Sequence, residues 1–169
     1  MSDLVTKKEF KLTIPPFRDI PEITLDISKV KEGEDRFLEA RVVNGGTYSS
    51  LEYVFNEGYR QARQHLSTIM YQVAMTDKEI RRIKSECLLD EYPDFLKTTK
   101  TKDSTATKEA FLERKEGYTT AMDRLAMLKA MEALFEGKIK VFENVCRYMR
   151  KEIDIQLRSG VMNDNKYVR

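Results

Sequence analysis

The stretch "SSLEYVFNEGYRQARQHLSTIMYQVAMTDKEIRRIKSEC", residues 49–87, decides the fold. Its apolar positions fall at Leu51, Phe55, Tyr59, Ala62, Leu66, Ile69, Val73, Thr76, Ile80, Ile83 and Cys87. After the first step the gaps alternate between three and four. That is the spacing of a helix burying one seam against another helix, held for about five heptads. Ser49 followed by Glu52 has the capping-box pattern and sets the start. A helix over about 50–89 is predicted, roughly 60 Å long at 1.5 Å per residue.

Working outward, Pro93 in "DEYPDF" disfavours helix at Tyr92, so the helix is expected to end there. A connector over 90–104 follows, containing "KTTKTKDSTATKEAF" (97–111). A second seam then runs through Phe111, Tyr118, Ala121, Leu125, Leu128, Glu132, Phe135, Ile139, Phe142, Cys146, Met149 and Ile153. It predicts a helix over about 105–158, with an N-cap near Asp103–Thr105, a kink near Gly117, Gly160 as its C-cap and a loose tail beyond. Two long seams and a short connector make an antiparallel hairpin over 49–169. The loop then sets Cys87 beside residues near 108 and Leu51 beside residues near 145. The two cysteines read as small core hydrophobes at opposite ends.

Residues 1–48 read as a small β-rich arm. "EFKLTI" and "EITLDI" alternate as half-buried strands do, and "RFLEARVV" before "NGG" suggests a third. The fold class is therefore mainly α: a long, coiled-coil-like two-helix hairpin with a small N-terminal β arm, and oligomeric. The oligomer follows from a second stripe on the later helix: Met127, Met131, Leu134, Val141, Val145 and Tyr148, with Lys138 at the missing place. It lies roughly 110° round from the first seam. Either the arm or a helix of a second subunit should bury it.

The 169 residues are 41% hydrophobic and 34% charged, with net charge +2. No run of about 18 apolar residues could span a membrane. "MSDLVTKKEF" lacks an apolar signal core, which points to a cytoplasmic protein. His65 is the single histidine and lies beside the first seam. No Cys–His or Ser–His pair, metal-ligand set or phosphate loop is visible, so no cofactor and no enzymatic activity are expected.

Charge distribution says more than its total. Residues 97–169 carry 16 basic and 11 acidic side chains, whereas the rest of the chain is net acidic. The hairpin gathers Lys78, Arg81, Arg82 and Lys84 with Lys108, Arg114 and Lys115 near its loop, where the connector adds Lys97, Lys100 and Lys102. Lysines among threonines, next to a helix start, form a phosphate-contacting set. A second cluster joins Arg60 and Arg63 to Lys138 and Lys140, with Arg147, Arg150 and Lys151 beyond. Tyr71 and Tyr92 are candidates for stacking on bases.

With "EIRRIKSECLLDEYP", the lysine-rich connector and "RLAMLKAMEALFEGKIKVFENVCRYMRKEIDIQLRSG" in view, the chain resembles the UvsY-type phage recombination mediators over roughly residues 60–158. The resemblance is one of layout and residue character, and the first 50 residues fall outside it. It implies a non-enzymatic oligomer that binds single-stranded DNA and helps a recombinase displace single-strand-binding protein, in the host cytoplasm if phage-encoded. The matching DNA contacts are Arg81, Arg82 and Lys84, then the connector lysines. The alternative is a coiled-coil adaptor, assembly factor or inhibitor that works through the second stripe without nucleic acid.

Overall fold

The computed structural model describes residues 10–160. The tail read as loose lies outside them. The elements are β1 (Lys11–Ile14), β2 (Ile23–Asp26), α1 (Ser28–Asp35), a 3₁₀ turn (Glu39–Val42), α2 (Tyr48–Glu86), a π turn (Cys87–Glu91), α3 (Tyr92–Thr99), α4 (Thr105–Leu112) and α5 (Glu116–Arg158). The molecule is mainly α, a two-helix hairpin with a small two-stranded arm. The described residues divide into two compact units: one of 10–15, 22–66 and 134–160, the other of 16–21 and 67–133. Both seams are real. Every residue of each is buried or half-buried, because only the seam stripe of a helix can leave water when the opposite face is charged.

In the first unit α2 and α5 run antiparallel, with Glu52 beside Arg150, Asn56 beside Cys146, and His65 beside Phe135. Leu51 thus lies closer to residue 150 than to 145. The connector is part helix and shifts the register by more than a turn. β1 and β2 pair antiparallel, Leu12 opposite Leu25, and bury Ile14 and Leu25. The third strand expected from "RFLEARVV" is not formed. Those residues include the 3₁₀ turn, and α1 precedes them. The reason is one ring: Phe142 of α5 is fully buried, with Phe37 and Phe55 centroids 5.5 and 6.4 Å away. A compact helical turn brings Phe37 onto that ring, where an extended strand would alternate its side chains across two faces. Ideal Cβ atoms on Gly33 and Gly58 would lie 2.5 and 2.8 Å from Phe142 carbons, so both backbones approach the ring as only glycine allows.

Capping departs from the sequence pattern too. Asn44 Oδ1 accepts from the Gly46 and Thr47 amides ahead of α2, and Glu52 takes the Tyr48 hydroxyl and Arg150 instead of closing a box with Ser49. Gly160 has φ +76, the left-handed value expected after a helix C-terminus.

Candidate nucleic-acid interface

The second unit holds all ten predicted nucleic-acid contacts. Its first surprise is that Pro93 does not stop the helix. A proline would clash with the carbonyl four residues back. The π turn opens the backbone, the Tyr92 amide reaches back to the Cys87 carbonyl, and Pro93 sits in the first turn of α3, where its missing N–H costs nothing. The connector expected over 90–104 shrinks to the segment between α3 and α4, entered through Lys100 at φ 52. Ser104 is the N-cap of α4, accepting from the Thr107 amide at 3.2 Å. The later helix breaks at 113–115, just ahead of Gly117, giving separate α4 and α5.

A small aromatic core pins this arrangement. Tyr92, Phe95 and Phe111 pack together with centroids 5.1–6.1 Å apart, Tyr92 stacked on Phe95 and edge-on to Phe111, in a cluster with buried Ile83, Cys87, Leu112 and Ala121. Tyr92 is therefore no stacking platform for bases. It is buried, and its hydroxyl donates to Asp103 at 3.0 Å. Lys108 and the Tyr92 hydroxyl hold the Asp103 carboxyl below its usual range. Cys87 packs on Phe111 and Leu112 within this core, one turn from the expected neighbourhood of residue 108. At the tip between β1 and β2, Arg18 (φ 48) donates to Glu79 at 2.6 Å, and Phe17 lies under the Arg124 guanidinium.

The ten cations divide. Four are held by carboxylates. Arg82 meets Glu79 at 2.8 Å, with Glu86 and Asp19 at 3.7 and 3.8 Å. Lys97 meets Asp94 at 3.0 Å and Lys108 meets Asp103 at 3.1 Å. Lys115 pairs with Glu91 and lies 4.7 Å over the Phe111 ring. The other six, Lys78, Arg81, Lys84, Lys100, Lys102 and Arg114, are exposed and have no carboxylate within ion-pair distance among the described residues. Asp77 does not take Arg81.

On α2, Tyr71, Lys78, Arg81 and Arg82 fall within about 100° of one another, opposite the seam. Tyr71 is 61% exposed. The unit as a whole carries thirteen basic and thirteen acidic side chains, so its attraction for phosphate comes from placement and not from net charge. Glu109, Glu113 and Asp123 line a groove between α4 and α5, which makes that side a poor one for an anion.

The second stripe is half covered. On the second unit Met127 and Met131 are half-buried. On the first unit, Lys138, the gap in the stripe, is paired with Glu34 of α1. Val145 is half-buried and lines a groove of about 530 Å³ with Phe37, Ala40, Arg41, Asn144 and Tyr148. Leu134, Val141 and Tyr148 remain 53%, 40% and 42% exposed. Ile155, not counted in the stripe, continues their seven-residue spacing and is also exposed.

His65 has a structural job: its Nε2 lies 2.5 Å from the Asp26 carbonyl oxygen, and its ring meets Phe135 edge-on. Cys146 is half-buried, less a core residue than its seam position implies, with its thiol 3.9 Å from Asn56 Oδ1. Among the described residues no group of three His, Cys, Asp or Glu is placed to hold a metal ion, and no helix is long and apolar enough to cross a membrane. No protein-family model matches the chain, and no curated protein or solved structure is significantly similar to it.

Proposed function

We propose that the protein is a non-enzymatic accessory factor that binds single-stranded DNA through its phosphates, as the UvsY-type mediators it resembles would in helping a recombinase displace single-strand-binding protein. The observation that carries this reading is the set of exposed cations without carboxylate partners: Lys78, Arg81 and Lys84 on α2, with Lys100, Lys102 and Arg114. Lysines and arginines with no internal partner contribute most to counterion release, since nothing inside the protein must be given up. Tyr71 offers a ring on the α2 face that carries Lys78 and Arg81, whereas Lys84 lies further round the helix.

The test is affinity for an oligo-dT measured over a range of salt. The Lys78→Ala/Arg81→Ala/Lys84→Ala variant should lower the salt slope by roughly 2, at about 0.7 per phosphate on a single strand. Arg82→Ala should change it little, because its charge is already spent on Glu79. Equal slopes for wild type and triple variant, with helicity intact, would remove α2 from the interface.

One observation favours a second reading, a helix-pairing adaptor that works without nucleic acid. Leu134, Val141, Tyr148 and Ile155 form an exposed row at heptad spacing. On that reading the chain self-associates in light scattering at micromolar concentration, Val141→Glu/Tyr148→Glu is monomeric, and neither binds oligo-dT at low salt.

A further inference from the structure

Within the first unit, α2 and α5 part to leave a groove of about 370 Å³ lined by Asn56, Tyr59, Phe142, Glu143, Cys146, Arg147 and Arg150. Its chemistry is sorted by place. The interior is formed by the half-buried Tyr59 ring and Cys146 thiol, over the buried Phe142. Arg147 and Arg150 supply guanidinium groups. Arg147 has no carboxylate partner among the described residues, although Glu143 lies one turn away on the same helix. Arg150 is 62% exposed and spends its Nε and one Nη on Glu52, leaving further N–H groups directed outward. The Tyr59 hydroxyl accepts from Arg63 at 2.9 Å and so keeps its own proton to donate. Asn56 Oδ1 faces the Cys146 thiol, which leaves the amide nitrogen as a donor.

We infer that this groove is a binding site for one nucleotide unit, with the phosphate on Arg147 and Arg150 and the base against the Tyr59 ring. Planar guanidinium forks match phosphate oxygens, and aromatic faces take any base. The volume falls within the range of small-ligand sites, about 300–1,000 Å³. Glu143 and Asn56 offer an acceptor and a donor to the polar edge of a base. The Glu143 charge also repels phosphate from its side and so fixes the orientation.

This inference rests on the single-stranded DNA reading for its biological sense; a strand and a free mononucleotide present the same unit, and the two arms of the test separate them. The test uses the full chain carrying Cys87→Ala, so that Cys146 is the remaining thiol. Burial pushes that thiol's pKa up, so iodoacetamide labelling is followed above neutral pH. Both dTMP and an oligo-dT should slow labelling saturably, by about tenfold at occupancy near 90%, as one-site protection requires. Arg147→Gln/Arg150→Gln should abolish the protection, read as the ratio of that variant's own labelling rates with and without dTMP, because the loss of Arg150 also changes the unliganded rate of Cys146. Oligo-dT that binds without protecting Cys146 overturns the groove and leaves the DNA reading standing. Protection by dTMP with no oligo-dT binding supports the groove and sinks the DNA reading. No protection by either, together with no binding, overturns both.

Discussion

The two units solve the same problem, pairing a stretch of α2 with a stretch of α5, in different ways. The first keeps both helices regular and fills the space around one ring, Phe142, with glycines and the folded arm. The second interrupts its helices three times, by a π turn, a left-handed Lys100 and a break before α5, around a cluster of three aromatic rings. Close packing tolerates no change of volume, whereas a core assembled from short helices depends on each segment being capped and pinned. The first unit should therefore respond to added or removed atoms, and the second to lost hydrogen bonds at its joints.

The largest effect sharpens this contrast. Phe142→Ala should cost about 3–5 kcal/mol, because it removes a fully buried ring that Phe37, Phe55, Gly33 and Gly58 all meet. Hydrogen exchange should show the loss first in α1 and residues 51–66 of α2, while the amides of α3 and α4 keep their protection. Equal loss in both regions would mean that the two cores unfold as one.

Next comes the ion pair that ties the arm to α5. Burial alone pushes the Glu34 carboxyl up, but hydrogen bonds from Lys138 and Lys31 outweigh it and the net pKa lies below the ordinary 4.5. A depressed carboxylate stabilises the fold above its unfolded pKa, and that stability is lost as pH falls through the lower folded value. Lys138→Met should thus cost about 1–3 kcal/mol at pH 7. The wild-type and variant unfolding curves should converge as pH falls through the lowered folded pKa of Glu34. A constant difference across that range would show that Lys138 acts through packing alone.

The smallest effect contrasts two glycines inside long helices. An ideal Cβ on Gly137 meets nothing within 4 Å, so Gly137→Ala should stabilise by up to about 1 kcal/mol through helix propensity. The same change at Gly58 brings a Cβ to 2.8 Å from Phe142 and 3.1 Å from the Lys29 carbonyl oxygen, and should destabilise by about 1–2 kcal/mol net. Thermal melts of the two variants should move in opposite directions.

Read from the sequence alone, two apolar stripes at heptad spacing already specify a pair of long helices and which residues they bury, since that pattern has no other regular conformation that hides it. The same spacing marked Leu134, Val141 and Tyr148 as surplus apolar surface, and the basic clusters were visible as residue types. What could not be read was anything decided by a partner distant in the chain. At the N-terminus of α1, Asp26 accepts from the Ser28 amide at 2.9 Å, but the next two amides go to a distant residue: Gln61 of α2 accepts from Lys29 and Val30 at 2.9 and 3.0 Å. "RFLEARVV" became a helical turn because Phe142 waits for Phe37, and Pro93 was absorbed because a wide turn ahead of it satisfied the backbone. Of the ten similar cations, Arg82 and Lys97 pair with carboxylates three residues away, as helical spacing allows, whereas the pairing of Lys115 depends on where Glu91 comes to rest. Local spacing determines which face of a helix turns inward. Tertiary structure decides the pairings between residues far apart in the chain, such as Lys115 with Glu91 and Lys138 with Glu34, because an ion pair is a matter of a few ångströms.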